Sequence, residues 1–259
     1  MKRVLALVIC LGLVIFLFTA CTGSQAYQQY MQAYQQLWKV DSFVVERSGN
    51  LVTSENLSGV SKTTNMATSE TYRFVRSSEG DMLIANIAVN IIDDAPTLLN
   101  LYFRDGYVYS QNITRPEENF RSQREADYAM NCAIEGILNF PIDVINKQSV
   151  QDTSDGKLLT FEFDSEKYYA HRFPETYDEH GYGEFSYFRE QPIYTVLLDT
   201  QGRIKQVTGS FCTVNSDDSG FTWDQRYNIT FTQYGDVSLD FPELNESDYP
   251  ILEIGMTAE

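Results

Sequence analysis

The sequence predicts an α+β fold built on one large, curved antiparallel sheet with helices on its concave face. Three observations carry that prediction. Apolar residues recur at three- and four-residue steps in two stretches, 25–40 and 123–140. The period falls to two between residues 41 and 111 and again between 193 and 233, in runs rich in Val, Ile, Tyr, Phe and Thr. Short polar turns divide those runs, and neighbouring strands joined by short turns pair antiparallel. A sheet this wide, with an amphipathic helix on one face, twists and curls around it.

The chain opens with Lys2 and Arg3, runs apolar over residues 4–18 and then reads Thr19-Ala20-Cys21. A basic start, an apolar stretch and small residues before a boundary make a secretory signal. Residues 14–21, Val-Ile-Phe-Leu-Phe-Thr-Ala-Cys, resemble the lipobox of bacterial lipoproteins, with Phe18 where that family most often has Leu. The resemblance implies cleavage after residue 20 and diacylation of the Cys21 thiol. It also implies an extracytoplasmic protein, held to a bacterial cell membrane by palmitate-type chains. Two acyl chains give stable attachment where one holds weakly. The alternatives are an ordinary secreted protein and an uncleaved membrane anchor, and polar Thr22-Gly23-Ser24 directly after the apolar run stand against the anchor.

Past the signal, Tyr27, Tyr30, Met31, Tyr34, Leu37 and Trp38 form an apolar stripe, with Gln28, Gln29, Gln32 and Gln35 between them. Strands are expected at 42–47, 69–75, 82–92 and 98–103. Arg104-Asp105-Gly106 joins 99–103 to 107–111, because Asp-Gly supplies the positive φ of a tight reversal. Helical spacing returns over 123–140 through Ala126, Met130, Ala133, Ile134, Ile137 and Leu138, and Pro141 stops it. Ser154-Asp155-Gly156 turns into a strand at 157–163. Residues 193–198, 203–214 and 221–233 make a meander, turned at 199–202 and 215–220. Phe241-Pro242-Glu243-Leu244 is the exit, and the last ten residues are expected to be loose. With no linker and no internal repeat, residues 21–259 read as a single domain.

The chain holds 19 Lys+Arg against 36 Asp+Glu, and loss of residues 1–20 moves its formal charge from −17 to −19. Such a body is no nucleic-acid partner, since phosphate binding needs clustered cations. It also stands off from anionic headgroups. Cys10 leaves with the signal and Cys21 is the acylation site. Cys132 and Cys212 either pair outside the cytoplasm or stay as separate buried thiols, and they are too few for a zinc site. His171 and His180 lie nine apart among Glu175, Asp178, Glu179 and Glu184, but Pro174, Gly181 and Gly183 make this a solvated loop rather than a metal site. Residues 215–220, Asn-Ser-Asp-Asp-Ser-Gly, lack the ligand alternation of a calcium loop and read as a turn. The Asn-x-Ser/Thr sequons at Asn56, Asn112, Asn228 and Asn245 are ordinary strand and turn composition. The chain has no Gly-x-Ser-x-Gly elbow, and no residue is assigned to catalysis, a metal or a cofactor. Carboxylates that meet only in space are the one route to hydrolysis left open.

Three further stretches are informative together: Leu101-Tyr-Phe-Arg-Asp-Gly-Tyr-Val-Tyr109, Val196-Leu-Leu-Asp-Thr-Gln-Gly-Arg-Ile-Lys-Gln-Val207 and Leu239-Asp-Phe-Pro-Glu-Leu244. With the lipobox-like segment and the first helix, they make the chain similar to LolA-like lipoproteins. That superfamily includes lipoprotein carriers, mycobacterial surface lipoproteins and uncharacterised lipoproteins of Gram-positive bacteria. The resemblance implies a half-barrel with helices plugging or lidding its concave side, where characterised members hold acyl chains. Residues 168–189, long, aromatic and charged, depart from that pattern, and no ligand residue of the family carries over. The candidates are therefore aromatics: Tyr30, Tyr34 and Trp38 on the first helix, and Phe74, Tyr102, Tyr107 and Tyr109 on the strands. They either interdigitate as a dry core or line a ligand cavity. The expected function is non-catalytic, membrane-anchored binding of a lipid or other hydrophobic ligand. The alternative is a surface interaction or sensor module with a filled core and a protein partner in the cell envelope.

Overall fold

The computed structural model describes residues 25–57, 60–92, 94–172, 186–215 and 221–252. The signal segment, Cys21, the loop holding His180, the turn at 216–220 and residues 253–259 lie outside the described residues. In chain order the strands are β1 (Ser42–Leu57), β2 (Val60–Ser77), β3 (Gly80–Ile91), β4 (Thr97–Arg104), β5 (Tyr107–Asn112) and β6 (Phe120–Gln123). There follow β7 (Ile145–Thr153), β8 (Gly156–Phe163), β9 (Ser186–Phe188), β10 (Ile193–Leu198), β11 (Ile204–Asn215) and β12 (Thr222–Tyr234). The helices are α1 (Gln25–Leu37), α2 (Tyr128–Ala133) and α3 (Ser165–Arg172). All strands join one antiparallel sheet in the order β6-β5-β4-β3-β2-β1-β12-β11-β10-β8-β7, with β9 pairing the far end of β11.

Alternation sets which face is buried. Phe43, Val45, Tyr72, Phe74, Leu83, Phe103 and Val108 on one arm share a face with Phe161, Tyr194, Val196, Val207, Ile229 and Phe231 on the other. Helix α1 packs on β7, β8 and β11, and α2 packs on β2 and β3, within the same buried cluster. A sheet whose two arms close on one set of helices is curved, with the helices on its concave face. Its edges, β6 and β7, do not meet, so the barrel is open. The expected α+β class is the one found.

Helix α1 is held as its stripe requires: Ala26, Tyr30, Ala33 and Leu37, at steps of four and three, are buried. The Tyr27 hydroxyl donates to the carbonyl of Phe140 at 3.1 Å, and the Tyr27 amide donates to Gln148 Oε1 at 2.9 Å. Deeper in, two buried phenols clasp the backbone of one residue, Leu138. The Leu138 amide donates to the Tyr194 hydroxyl at 3.0 Å, the Tyr30 hydroxyl donates to the Leu138 carbonyl, and the two hydroxyls lie 3.1 Å apart. Phe140 stacks on Tyr30 at 5.2 Å and meets Phe163 edge-on at 4.8 Å.

Burial pushes the phenols of Tyr30, Tyr194 and Tyr227 well above their ordinary value of 10.0. The stability this carries is full below about pH 10 and is lost as pH climbs past it, because the unfolded chain releases protons that the folded one keeps. Urea midpoints are expected to fall as pH rises above about 10. A urea midpoint unchanged between about pH 10 and pH 12 would contradict this packing.

Several expectations need correction. The helix expected over 123–140 shrinks to the six residues of α2, and Gln123 belongs to β6. Gly136 turns the chain with φ at +90°, and residues 134–140 continue as irregular backbone. Ala129, Met130, Ala133, Ile134, Ile137 and Phe140 are nonetheless buried. Strand β7 and helix α3 are additions, the latter overlapping the start of the 168–189 stretch. Strands β1 and β2 run 16 and 18 residues, well beyond the expected segments.

The convex face is polar in its middle and covered at one end. Asn86, Asn100 and Gln111 form a cross-strand ladder, Asn86 Nδ2 donating to Asn100 Oδ1 at 2.8 Å and Asn100 Nδ2 to Gln111 Oε1 at 3.1 Å. The C-terminal segment crosses this face, with Leu239, Phe241, Leu244 and Tyr249 packing on Ile84, Tyr102 and Tyr109. Residues 250–252 are pinned rather than loose: the Arg121 amide donates to the Pro250 carbonyl at 3.0 Å and the Leu252 amide to the Arg121 carbonyl at 2.8 Å.

Candidate functional site

Because β1 and β2 outrun α1 and α2, part of the concave face has no helix packed into it. Helix α3, Phe188 of β9 and residues 135–138 stand across it and enclose a pocket of about 770 Å³. That lies within the range of small-molecule sites, about 300–1,000 Å³. Leu51, Met66, Phe211 and Trp223 contribute from the strands, and Leu138, Tyr168, Tyr169 and Phe188 from the other side. Trp223 is 43% exposed, which sets it at the rim.

One row of the sheet shapes the floor. Pairing aligns Gly49 of β1, Tyr227 of β12 and Gly209 of β11. A Cβ on Gly209 would lie 2.4 Å from Cζ of Tyr227, so the glycine makes room for the ring. The Tyr227 hydroxyl then donates to the carbonyl of Gly136 at 2.9 Å, tying the sheet to the segment opposite. From there an aromatic column runs into the core. Phe211 stacks on Tyr227 at 6.0 Å, Tyr168 on Phe211 at 5.7 Å and Phe163 on Tyr168 at 4.4 Å.

The polar part of the wall is one network around Arg47. Its Nε donates to Glu70 Oε2 at 2.7 Å, and its Nη1 donates to the Glu135 carbonyl at 2.9 Å and to the Glu135 carboxylate at 3.3 Å. Nη2 donates to Glu70 and to the Tyr72 hydroxyl, and that hydroxyl donates to Glu70. The guanidinium also lies 4.8 Å from the centre of the Tyr72 ring. The side chains of Arg47 and Glu70 are only 13% and 10% exposed, so this pair is largely out of water. Burial pushes the nearby Cys132 thiol up to about 11, with Glu135 and Glu70 adding to the shift and Arg47 and Tyr128 opposing it. Cys132 is thus a thiol at neutral pH, and Cys132 and Cys212 are both unpaired. Among the described residues no three His, Cys, Asp or Glu side chains converge to hold a metal. His171 Nε2 lies 3.3 Å from the Asn139 carbonyl oxygen.

None of the seven aromatic candidates lines this pocket. Tyr30 is fully buried in the core, where Tyr34 and Trp38 pack half-buried on the same helix. Phe74 stacks on Phe43 at 4.9 Å. Tyr102, Tyr107 and Tyr109 belong to the convex face: Tyr102 meets Phe241 at 6.4 Å and Tyr109 meets Tyr249 at 5.4 Å. The concave positions beside them are Phe103 and Val108. Tyr168, Tyr169, Arg172 and Phe188 fall in or beside the 168–189 stretch that departs from the family pattern, but the sequence assigns no strand residue to this pocket, although one signal is present. Gly49 and Gly209 inside strand patterns mark places where another group approaches the backbone closely.

No family model and no curated protein matches the chain. Among solved structures, a DUF1329 family protein from Desulfovibrio piger is similar at 12% identity and a TM-score of 0.25, over 85% of this chain and 95% of that one. The ywiB protein from Bacillus subtilis is similar at 10% identity and a TM-score of 0.22, over 74% and 94%. A putative outer membrane lipoprotein-sorting protein domain from Vibrio parahaemolyticus is similar at 8% identity and a TM-score of 0.18, over 83% and 95%. Likenesses this weak carry no argument about fold or function, which rest on the chain's own geometry.

Proposed function

We propose that this chain is a membrane-anchored extracytoplasmic lipoprotein that shelters a lipid or another apolar ligand between its curved sheet and helix α3. The pocket of about 770 Å³, lined for the larger part by apolar and aromatic side chains, is the observation that carries this reading. Its carboxylates, Glu70 and Glu135, are both bonded to Arg47, which favours binding over catalysis. The anchor rests on the lipobox-like segment ending at Cys21. No described helix is long and apolar enough to cross a membrane. Cys21 lies four residues before Gln25, and the first turn of α1 bonds to Phe140, two residues from Leu138 of the pocket wall. Acylation at Cys21 would therefore keep the pocket close to the bilayer, where an apolar ligand is taken up or released.

Native mass spectrometry of the chain from Thr22 onward tests the binding role. A discrete extra mass, released as lipid under denaturing conditions, is the expected result. A bare protein mass that stays unchanged after incubation with a lipid extract would overturn it and leave the protein-partner reading.

A further inference from the structure

Three arginines line the pocket, and they are not equivalent. Arg47 is bonded to Glu70 and Glu135, and Arg226 lies 3.4 Å from Asp224. Arg172, the last residue of α3 and exposed at the rim, has no carboxylate within ion-pair distance among the described residues. Its charge reaches the aromatic floor. Burial raises the phenols of Tyr168 and Tyr227, and Arg172 works against that rise at both. A rim cation with no carboxylate partner among the described residues, beside aromatic side chains of the same pocket, is unusual on a chain with a formal charge of −17. A guanidinium presents a planar fork of donors that fits carboxylate and phosphate oxygens.

Resting on the binding role above, we infer that the ligand is an anionic amphiphile, its chain lying along Phe211, Tyr227 and Tyr168 and its carboxylate or phosphate head held at Arg172. Arg172 also closes the C-terminal end of α3, where a cation suits the helix dipole. That purely structural role predicts a loss of stability without any dependence on headgroup, so the two are separable.

The test is calorimetric titration of the chain from Thr22 onward with three amphiphiles sharing one oleoyl chain: oleate, oleoyl lysophosphatidate and neutral monoolein, each kept below its micelle concentration. At least one anionic ligand is expected to bind about tenfold tighter than monoolein, the size of one charge-assisted contact. Arg172→Gln is expected to bring that ligand to the monoolein affinity, while Arg226→Gln leaves the preference in place. Tighter binding of oleate would point to a free fatty acid, and tighter binding of lysophosphatidate to a phospholipid. Equal binding of all three, or a preference that survives in Arg172→Gln, would overturn the headgroup assignment and leave the apolar pocket standing. Binding of none of the three would remove the pocket's role itself.

Discussion

Arg47→Ala is expected to destabilise the protein by about 3–5 kcal/mol, the cost of leaving a buried charge without its partner. Arg47 serves Glu70, Tyr72 and Glu135 together, and Glu70 is only 10% exposed, so water cannot readily replace the guanidinium. The same substitution frees the Glu135 carbonyl and with it the hold of the sheet on residues 135–138, one wall of the pocket. Urea unfolding of Arg47→Ala, Glu70→Leu and the double variant Arg47→Met/Glu70→Leu measures this. The double variant is expected to recover most of the loss, because an apolar pair of similar volume often replaces a buried ion pair at little cost. A loss below about 1 kcal/mol in Arg47→Ala would mean that the network is solvated and does not fix the wall.

The parts of the fold that the sequence made legible are those where local chemistry is decisive. Asp105 and Gly106 both take positive φ, 54° and 77°, as a tight hairpin needs, and β4 and β5 pair across them. The stripe on α1 is buried at the expected steps. Residues 123–140 misled because burial alone also selects apolar residues at three- and four-residue steps. Only Gly136 told that the backbone leaves the helix there. Strand β7 is an edge strand carrying Asn146, Lys147, Gln148 and Gln151, and an edge needs little of the β-branched composition that marks a central strand.

The pocket was less legible than the fold. Its position depends on how far β1 and β2 extend past the helices, a tertiary length that no local pattern states. The candidate aromatics failed on parity as well. Tyr102, Tyr107 and Tyr109 sit one residue out of phase with Phe103 and Val108, and in a strand one residue is the difference between two faces. Period-two patterning does not say which face is concave when both carry aromatics.

Gly209→Val is expected to destabilise by about 3 kcal/mol, the upper end for overpacking. The added Cβ falls 2.4 Å from Cζ and 2.6 Å from the hydroxyl of Tyr227, and the central position of β11 between β10 and β12 leaves its backbone little room to move. Either the ring swings into the pocket or the sheet deforms. Both outcomes break the hydrogen bond from Tyr227 to the Gly136 carbonyl. A double-mutant cycle with Tyr227→Ala separates the clash from any general dislike of a branched residue at this site. With the ring gone, valine fits an ordinary strand position, and the same Gly209→Val change is expected to cost less than about 1 kcal/mol, a coupling of about 2 kcal/mol. If valine costs as much without the ring as with it, the glycine serves the backbone rather than the tyrosine. Ligand binding gives a second readout. A ring displaced into the pocket reduces its volume, so Gly209→Val is expected to lose affinity that Gly209→Val/Tyr227→Ala regains. That recovery would show that the displaced ring, rather than a general change in the sheet, is what closes the pocket to its ligand.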